Sequence, residues 1–137
     1  MRALIDCDVL IDIALERDEW LAESVAVLAW AEQNPSAGWI AWHSLANVHY
    51  ISRRLRGDEA ARDFLREILG FLEVPAAGHA AARQALDLPM VDFEDALQSM
   101  CAITAQADLI VTRNTADYRR SPVPAVAPKE FLRRVRP

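Results

Sequence analysis

The apolar and polar positions of this chain fall into short blocks whose period changes along its length. Ala3, Leu4 and Ile5 form a continuous apolar run that ends on Asp6. Such a run reads as a buried parallel strand stopping at the edge of its sheet, here residues 3–6. A helical pattern follows over about residues 9–15, with Asp8 where its N-cap is needed. Residues 20–33 predict a second helix, with Leu21, Val25, Leu28 and Ala29 on one face. Asn34, Pro35, Ser36 and Gly38 end it. Residues 39–41 predict a second strand. Ser44 is the expected cap of a third helix reaching about residue 55, with Leu45, Val48 and Ile51 inward.

Gly57 stops that helix, and Asp58 is the expected cap of a fourth with Ala61, Phe64, Leu65, Ile68 and Leu69 as its stripe. A third strand is expected at 71–74. A short helix follows at 79–86, opened by Gly78 and closed before Pro89. Asp92 should cap a long helix over 93–106. Residues 109–111, Leu-Ile-Val, are the clearest buried strand, ending at Thr112. A weak edge strand at 123–126 lies between Pro122 and Pro128. Pro128 suits the first turn of a last helix at 129–135. Strands separated by helices imply a three-layer α/β fold, a central parallel sheet with helices on both faces. With no repeat or linker, one domain spanning 1–137 is expected.

Composition adds limits. A hydrophobic share of 53% and a charged share of 26% belong to a globular chain. The net charge of −5 excludes a wholly basic nucleic-acid binder, but its distribution is uneven. Residues 1–100 carry −9, and residues 101–137 carry +4. A basic part beside an acidic site can guide a polyanion; a solvated tail is the plainer alternative. Cys7 and Cys101 form no disulfide framework and read as small buried hydrophobes. Acids break the first apolar run, and no stretch reaches membrane-span length, so no signal peptide and a cytoplasmic location are expected.

Three places could carry chemistry. Asp6 ends the first strand, where functional groups of open α/β sheets gather. Asp92, Glu94 and Asp95 open the long helix. Asp95 stands where an acid can bond back to the cap's amide, yet it also points past the helix end. Thr112, Asn114 and Asp117 follow the best strand, and each alone reads as turn chemistry. Carboxylates gathered on one crevice repel unless a cation sits between them. Oxygen donors with few imidazoles suit Mg²⁺ or Mn²⁺ better than zinc; His43, His49 and His79 have no ligand spacing. Such a metal site is the equipment of phosphodiester hydrolysis.

The stretches Leu4-Ile-Asp-Cys-Asp-Val-Leu-Ile11, Asp92-Phe-Glu-Asp-Ala-Leu-Gln98 and Val111-Thr-Arg-Asn-Thr-Ala-Asp-Tyr118, in this order and spacing, resemble the PIN-domain proteins, in particular the VapC-type toxins of bacterial toxin–antitoxin pairs. The resemblance runs over nearly the whole chain. It implies a parallel sheet, a Mg²⁺- or Mn²⁺-dependent endoribonuclease acting on RNA, a homodimer, and a small cognate antitoxin. It implies catalytic roles for Asp6, Asp95 and Asp117 (or its neighbour Asn114), with Asp6 and Asp95 holding the metal. The family usually carries a Glu in the helix after strand two; here Asn47 stands in that place and brings no charge. Asp8 and Glu94 are candidates to compensate.

The alternative is a catalytically weak PIN-like module that binds RNA or a partner protein. Asp6-Cys-Asp8 also resembles the first motif of haloacid-dehalogenase-type phosphatases. Those enzymes need a lysine followed by another acidic motif, whereas Lys129 is the only lysine and has no Asp pair beyond it. An antitoxin segment is expected in an apolar groove near helices one to four, where Trp20, Trp30, Trp39 and Trp42 are candidate anchors or core residues.

Overall fold

The computed structural model describes residues 1–136. Its sheet has four parallel strands, β1 (Ala3–Ile5), β2 (Gly38–Trp39), β3 (Leu109–Val111) and β4 (Ala125–Val126), in the order β2-β1-β3-β4. Ala3 stands opposite both Gly38 and Leu109, and Ile5 opposite Val111. Side chains alternate across this sheet. Ala3, Ile5, Leu109 and Val111 face one core, while Leu4 and Ile110 face the other.

The first core is filled by α1 (Cys7–Ala14), α2 (Asp18–Gln33), α3 (Trp42–Arg56), α4 (Asp58–Ile68) and α7 (Pro128–Val135), through Val9, Val27, Val48, Ile68 and Phe131. The second is filled from α6 (Phe93–Thr104) by Cys101 and Ala102, with Tyr118 and Val123 beside them. On the outside of α6 packs α5 (His79–Asp87), through Ala85 against Ala96 and Met100. The result is the three-layer α/β arrangement expected from the alternation of strands and helices. A Cβ on Gly38 would lie 2.6 Å from Ala31 Cβ and 2.7 Å from Leu72 Cδ2, so glycine is what lets α2 lie against β2. Among the described residues no helix is long and apolar enough to cross a membrane.

Several boundaries differ from expectation. No loop separates β1 from α1: Asp6 is the N-cap, its extended backbone at φ −69° and its Oδ1 accepting from the Cys7 N–H at 2.7 Å. Asp8 therefore lies in the first helical turn and caps nothing. The third helix starts at Trp42, with Ala41 as its N-cap, so Ser44 is inside it and Asn47 belongs to the second turn. Gly57 caps α4, leaving Asp58 as its first residue. The strand expected at 71–74 is reduced to one parallel bridge, Trp39 with Glu73. Gly70 and Phe71 bond back to Glu67 and Ile68 in a turn, and Pro75 has no N–H to extend the pairing.

The chain leaves β1 toward β2 on one side, and β3 is followed by β4 on the other. The crevice beyond the carboxyl ends of β1 and β3 is thus the switch point of the sheet. Asp6 and Thr112 are the residues just past those two ends.

Candidate metal centre

Asp6 is 4% exposed and is held on every side. Its Oδ1 accepts from Cys7 N and from Gln98 Nε2 at 3.0 Å. Its Oδ2 accepts from Thr112 Oγ1 at 2.9 Å and from the Tyr118 hydroxyl at 3.0 Å. All four donors are neutral, so they fix the carboxylate without cancelling its charge. Burial, then the charges of Asp8 and Glu94, push the Asp6 carboxyl up to about 6, against the pull of Thr112 and Tyr118. Burial followed by the charge of Asp6 pushes the Tyr118 phenol and the Cys7 thiol far up, so both keep their protons.

The start of α6 supplies the other acids. Asp92 caps it, accepting the Asp95 N–H at 3.0 Å; the expected reciprocal bond from Asp95 to the cap is absent. Carboxylate oxygens of Asp92, Glu94 and Asp95 lie within 4.8 Å of one another, and Glu94 lies within the same span of Asp6 and Cys7. Glu94 is therefore shared by both groups. Asp95 is pushed up to about 7 by burial, then by Glu94, Asp92 and Asp6. For Glu94 burial works upward, but the hydrogen bond and charge of His43 outweigh it and hold the carboxyl below its usual value. The His43 Nε2 lies 3.1 Å from Glu94 Oε1. Burial disfavours the charged ring, yet Cys101 and Glu94 raise it to about 9; of these two only Glu94 meets hydrogen-bond geometry.

Gln98 ties the pieces together. It is fully buried, and its Nε2 faces Asp6 Oδ1, Glu94 Oε1 at 3.2 Å and Ser44 Oγ at 2.5 Å. Two N–H groups meet three acceptors, while Gln98 Oε1 is buried with no partner. The sequence alone assigns no role at the site to Gln98, Tyr118 or His43, and gives Ser44 only that of a helix cap. Gln98 does leave a signal there, because it follows Glu94 by one helical turn on the same face. The partnership of His43 with Glu94 joins α3 to α6 and leaves no local trace.

The residues after β3 split into two sets. Thr112 is buried in the cluster. Asn114 turns instead to Asp8, whose Oδ2 accepts from Thr112, from Arg113 N at 2.9 Å and from Asn114 Nδ2 at 3.4 Å. Asp8 thus holds the turn after β3. Asp117 is exposed on a 3-10 turn, Thr115–Tyr118, and belongs to neither acidic group. It shares an open cavity of about 540 Å³ with Asp92 and Asp95. Asn47 is half-buried, and its side chain forms no hydrogen bond with the acids.

Further along α1, Asp12 is fully buried and paired. Arg113 grips it with Nε–Oδ2 at 2.6 Å and Nη2–Oδ1 at 3.1 Å, and Arg17 adds an ion pair at 3.3 Å. The Arg113 guanidinium lies over Trp20, 3.9 Å from the ring centre. Trp30 packs edge-on against Phe131, so both tryptophans serve packing, whereas Trp42 is 73% exposed.

The donor set fits a hard divalent cation. Asp6, Glu94 and Asp95 offer oxygens, no guanidinium among the described residues pairs with them, and a buried amide oxygen lacks a partner beside them. A donor set made mainly of carboxylate oxygens suits Mg²⁺ or Mn²⁺ better than zinc.

A family profile described as the PIN domain matches residues 2–116. No curated protein matches the chain by sequence. Among solved structures, VapBC2 from Rickettsia felis bound to a DNA fragment from its promoter is similar, with a TM-score of 0.68, 17% identity, and coverage of 93% of this chain and 98% of that one. A toxin–antitoxin complex from Klebsiella pneumoniae gives 0.67 and 20%, covering 92% and 97%. FitAcB from Neisseria gonorrhoeae gives 0.63 and 15%, covering 93% and 98%. At these identities the likeness is one of fold.

Proposed function

The chain belongs to the PIN-domain family, and on that footing we propose that it is a Mg²⁺- or Mn²⁺-dependent endoribonuclease, the toxin of a toxin–antitoxin pair. The observation that carries the reading is that Glu94 links Asp6 to Asp92 and Asp95 at the switch point of the sheet, with Asp6 held by neutral donors and His43 pairing Glu94 alone. Asp6 and Asp95 would hold the metal, with Glu94 beside them. Bound there, the ion supplies activation of water and stabilisation of charge on the phosphoryl oxygens. The chain's own work is positioning. Thr112, Tyr118 and Gln98 fix both oxygens of Asp6. His43 keeps Glu94 ionised. Asp95 opens on the cavity, and the crowding by Glu94, Asp92 and Asp6 that adds to burial in raising its carboxyl is what a bound cation would relieve. Asp117, across the same cavity, is the rim group.

Toxin–antitoxin complexes among the similar structures support a small antitoxin as partner. A groove of about 310 Å³ on α1, α2 and α4, lined by Ile13, Leu28, Phe64 and Phe71 and rimmed by Glu32 and Glu67, suits an amphipathic helix with basic flanks. A homodimer belongs to the same reading. The second reading, a weak module that binds without cutting, draws on Asn47, which brings no carboxylate from α3.

The test is cleavage of a total RNA pool with Mg²⁺, with Mn²⁺ and with chelator, for wild type and Asp6→Asn. Cleavage that needs the ion and falls at least about a hundredfold in the variant is expected, since even residues behind the ligands are worth 10–100-fold. Equal cleavage by both proteins overturns the assignment.

A further inference from the structure

We propose that Arg119 and Arg120 form a ledge that binds a backbone phosphate of the RNA flanking the one cleaved; this rests on the nuclease reading above. Both are exposed and line the cavity of about 540 Å³ that also carries Asp92, Asp95 and Asp117. Among the described residues neither guanidinium is in an ion pair, although three carboxylates line the same cavity. Other arginines here do pair: Arg113 with Asp12, Arg62 with Asp58, Arg134 with Glu130.

The ledge is fixed at both ends. Before it, Tyr118 is buried with its hydroxyl on Asp6 Oδ2. After it, Ser121 Oγ shares a hydrogen bond with Ser99 Oγ of α6 at 2.8 Å and accepts the Val123 N–H at 3.2 Å. The backbone between these anchors is thereby set relative to the carboxylate Asp6 on one side and to the helix bearing Asp95 on the other. A guanidinium offers a planar fork of donors matched to phosphate oxygens. A polyanion approaching acids alone is repelled, and two unpaired arginines lining the same cavity give it a place to land. They also account for part of the basic balance of residues 101–137, which the acidic first part lacks.

The experiment measures binding of a labelled short single-stranded RNA in chelator at rising KCl. It compares wild type, the Arg119→Ala/Arg120→Ala double variant, and an Arg133→Ala/Arg134→Ala control that removes equal charge from α7. The slope of log affinity against log salt should fall by about 0.7 for each phosphate that the ledge variant no longer neutralises, and stay at the wild-type value in the control. Calorimetric Mn²⁺ affinity should fall in neither variant, because neither removes a carboxylate. A ledge slope equal to the control's overturns the proposal. Wild-type cleavage in Mn²⁺ is read alongside. Cleavage with equal slopes, or with no RNA binding in chelator, sinks the ledge alone; RNA binding through the ledge without cleavage sinks the nuclease reading alone; and neither binding nor cleavage by wild type sinks both.

Discussion

Asp6 caps α1 and Asp12 lies inside it, and both are buried, yet the protein treats their charges in opposite ways. Asp12 receives two guanidiniums, one of them bidentate and stacked on Trp20. Asp6 receives four neutral donors, and the charges that press on it are those of the acids Asp8 and Glu94. Around Asp12 the charge is cancelled by the chain itself, and nothing remains to be bound. Around Asp6 the geometry is fixed and the charge is left over. A carboxylate held that firmly and compensated that poorly marks a place where an outside cation belongs.

The sharpest break of this comparison is to neutralise each acid in turn. Asp12→Asn leaves Arg113 partly buried against an amide, and should cost about 3 kcal/mol of stability. Asp6→Asn keeps the acceptor for Cys7 and Gln98, and the hydroxyls of Thr112 and Tyr118 can turn to accept from its amide. In chelator it should cost less than about 1 kcal/mol, because the amide can keep the hydrogen bonds and removes a buried charge that no protein cation offsets. Urea unfolding of both variants measures this. If Asp6→Asn loses as much as Asp12→Asn, the two carboxylates do the same job and the contrast is empty.

A smaller effect should appear with pH. Folding raises the Asp6 carboxyl from 3.8 to about 6 and the Asp95 carboxyl from 3.8 to about 7. A raised acid binds its proton more tightly when folded, so its stabilising contribution is whole below about pH 3.8 and drains away as pH rises through the folded value. Chelated protein should therefore unfold at a lower urea concentration at pH 7.5 than at pH 5, and saturating Mn²⁺ should reverse the trend by binding only the folded, deprotonated site. A chelated protein equally stable at both pH values would mean that these acids are not crowded in solution.

The contrast also shows what is legible in the chain. Continuous apolar runs ending on polar residues locate β1 and β3, and with them Asp6 and Thr112 at the switch point. The strand expected at 71–74 dissolves because pairing there depends on a turn and a proline beyond the apolar run. Local pattern cannot tell a strand that runs straight into a helix from one with a turn between, which is why Asp8 rather than Asp6 looks like the cap. Partnerships across the fold are invisible: Asp12 with Arg113 spans most of the chain, as does Tyr118 with Asp6, and His43 with Glu94 joins two distant helices. The charges can be counted in advance, but which of them are cancelled depends on the fold.

The smallest expected effect concerns α3, which meets the site without bringing an acid to it. Ser44 reaches Gln98, and His43 reaches Glu94, from the first turn of that helix. Asn47 follows Ser44 by three residues, so both share one face, and helical side chains lean back toward the N-terminus, over the Ser44 position. A glutamate at 47 would place a further carboxylate on the face that already touches the cluster. Added ligand charge tightens divalent binding, so Asn47→Glu should bind Mn²⁺ about fivefold tighter in RNA-free protein. The same charge should lower the stability of the chelated variant through like-charge crowding, more at pH 7.5 than at pH 5. The paired readout matters, because tighter binding with unchanged apo stability would point to a second ion elsewhere. Equal Mn²⁺ affinity in two folded proteins would show that the α3 face beyond Ser44 is outside the site, and that Asp6, Glu94 and Asp95 hold the metal without it.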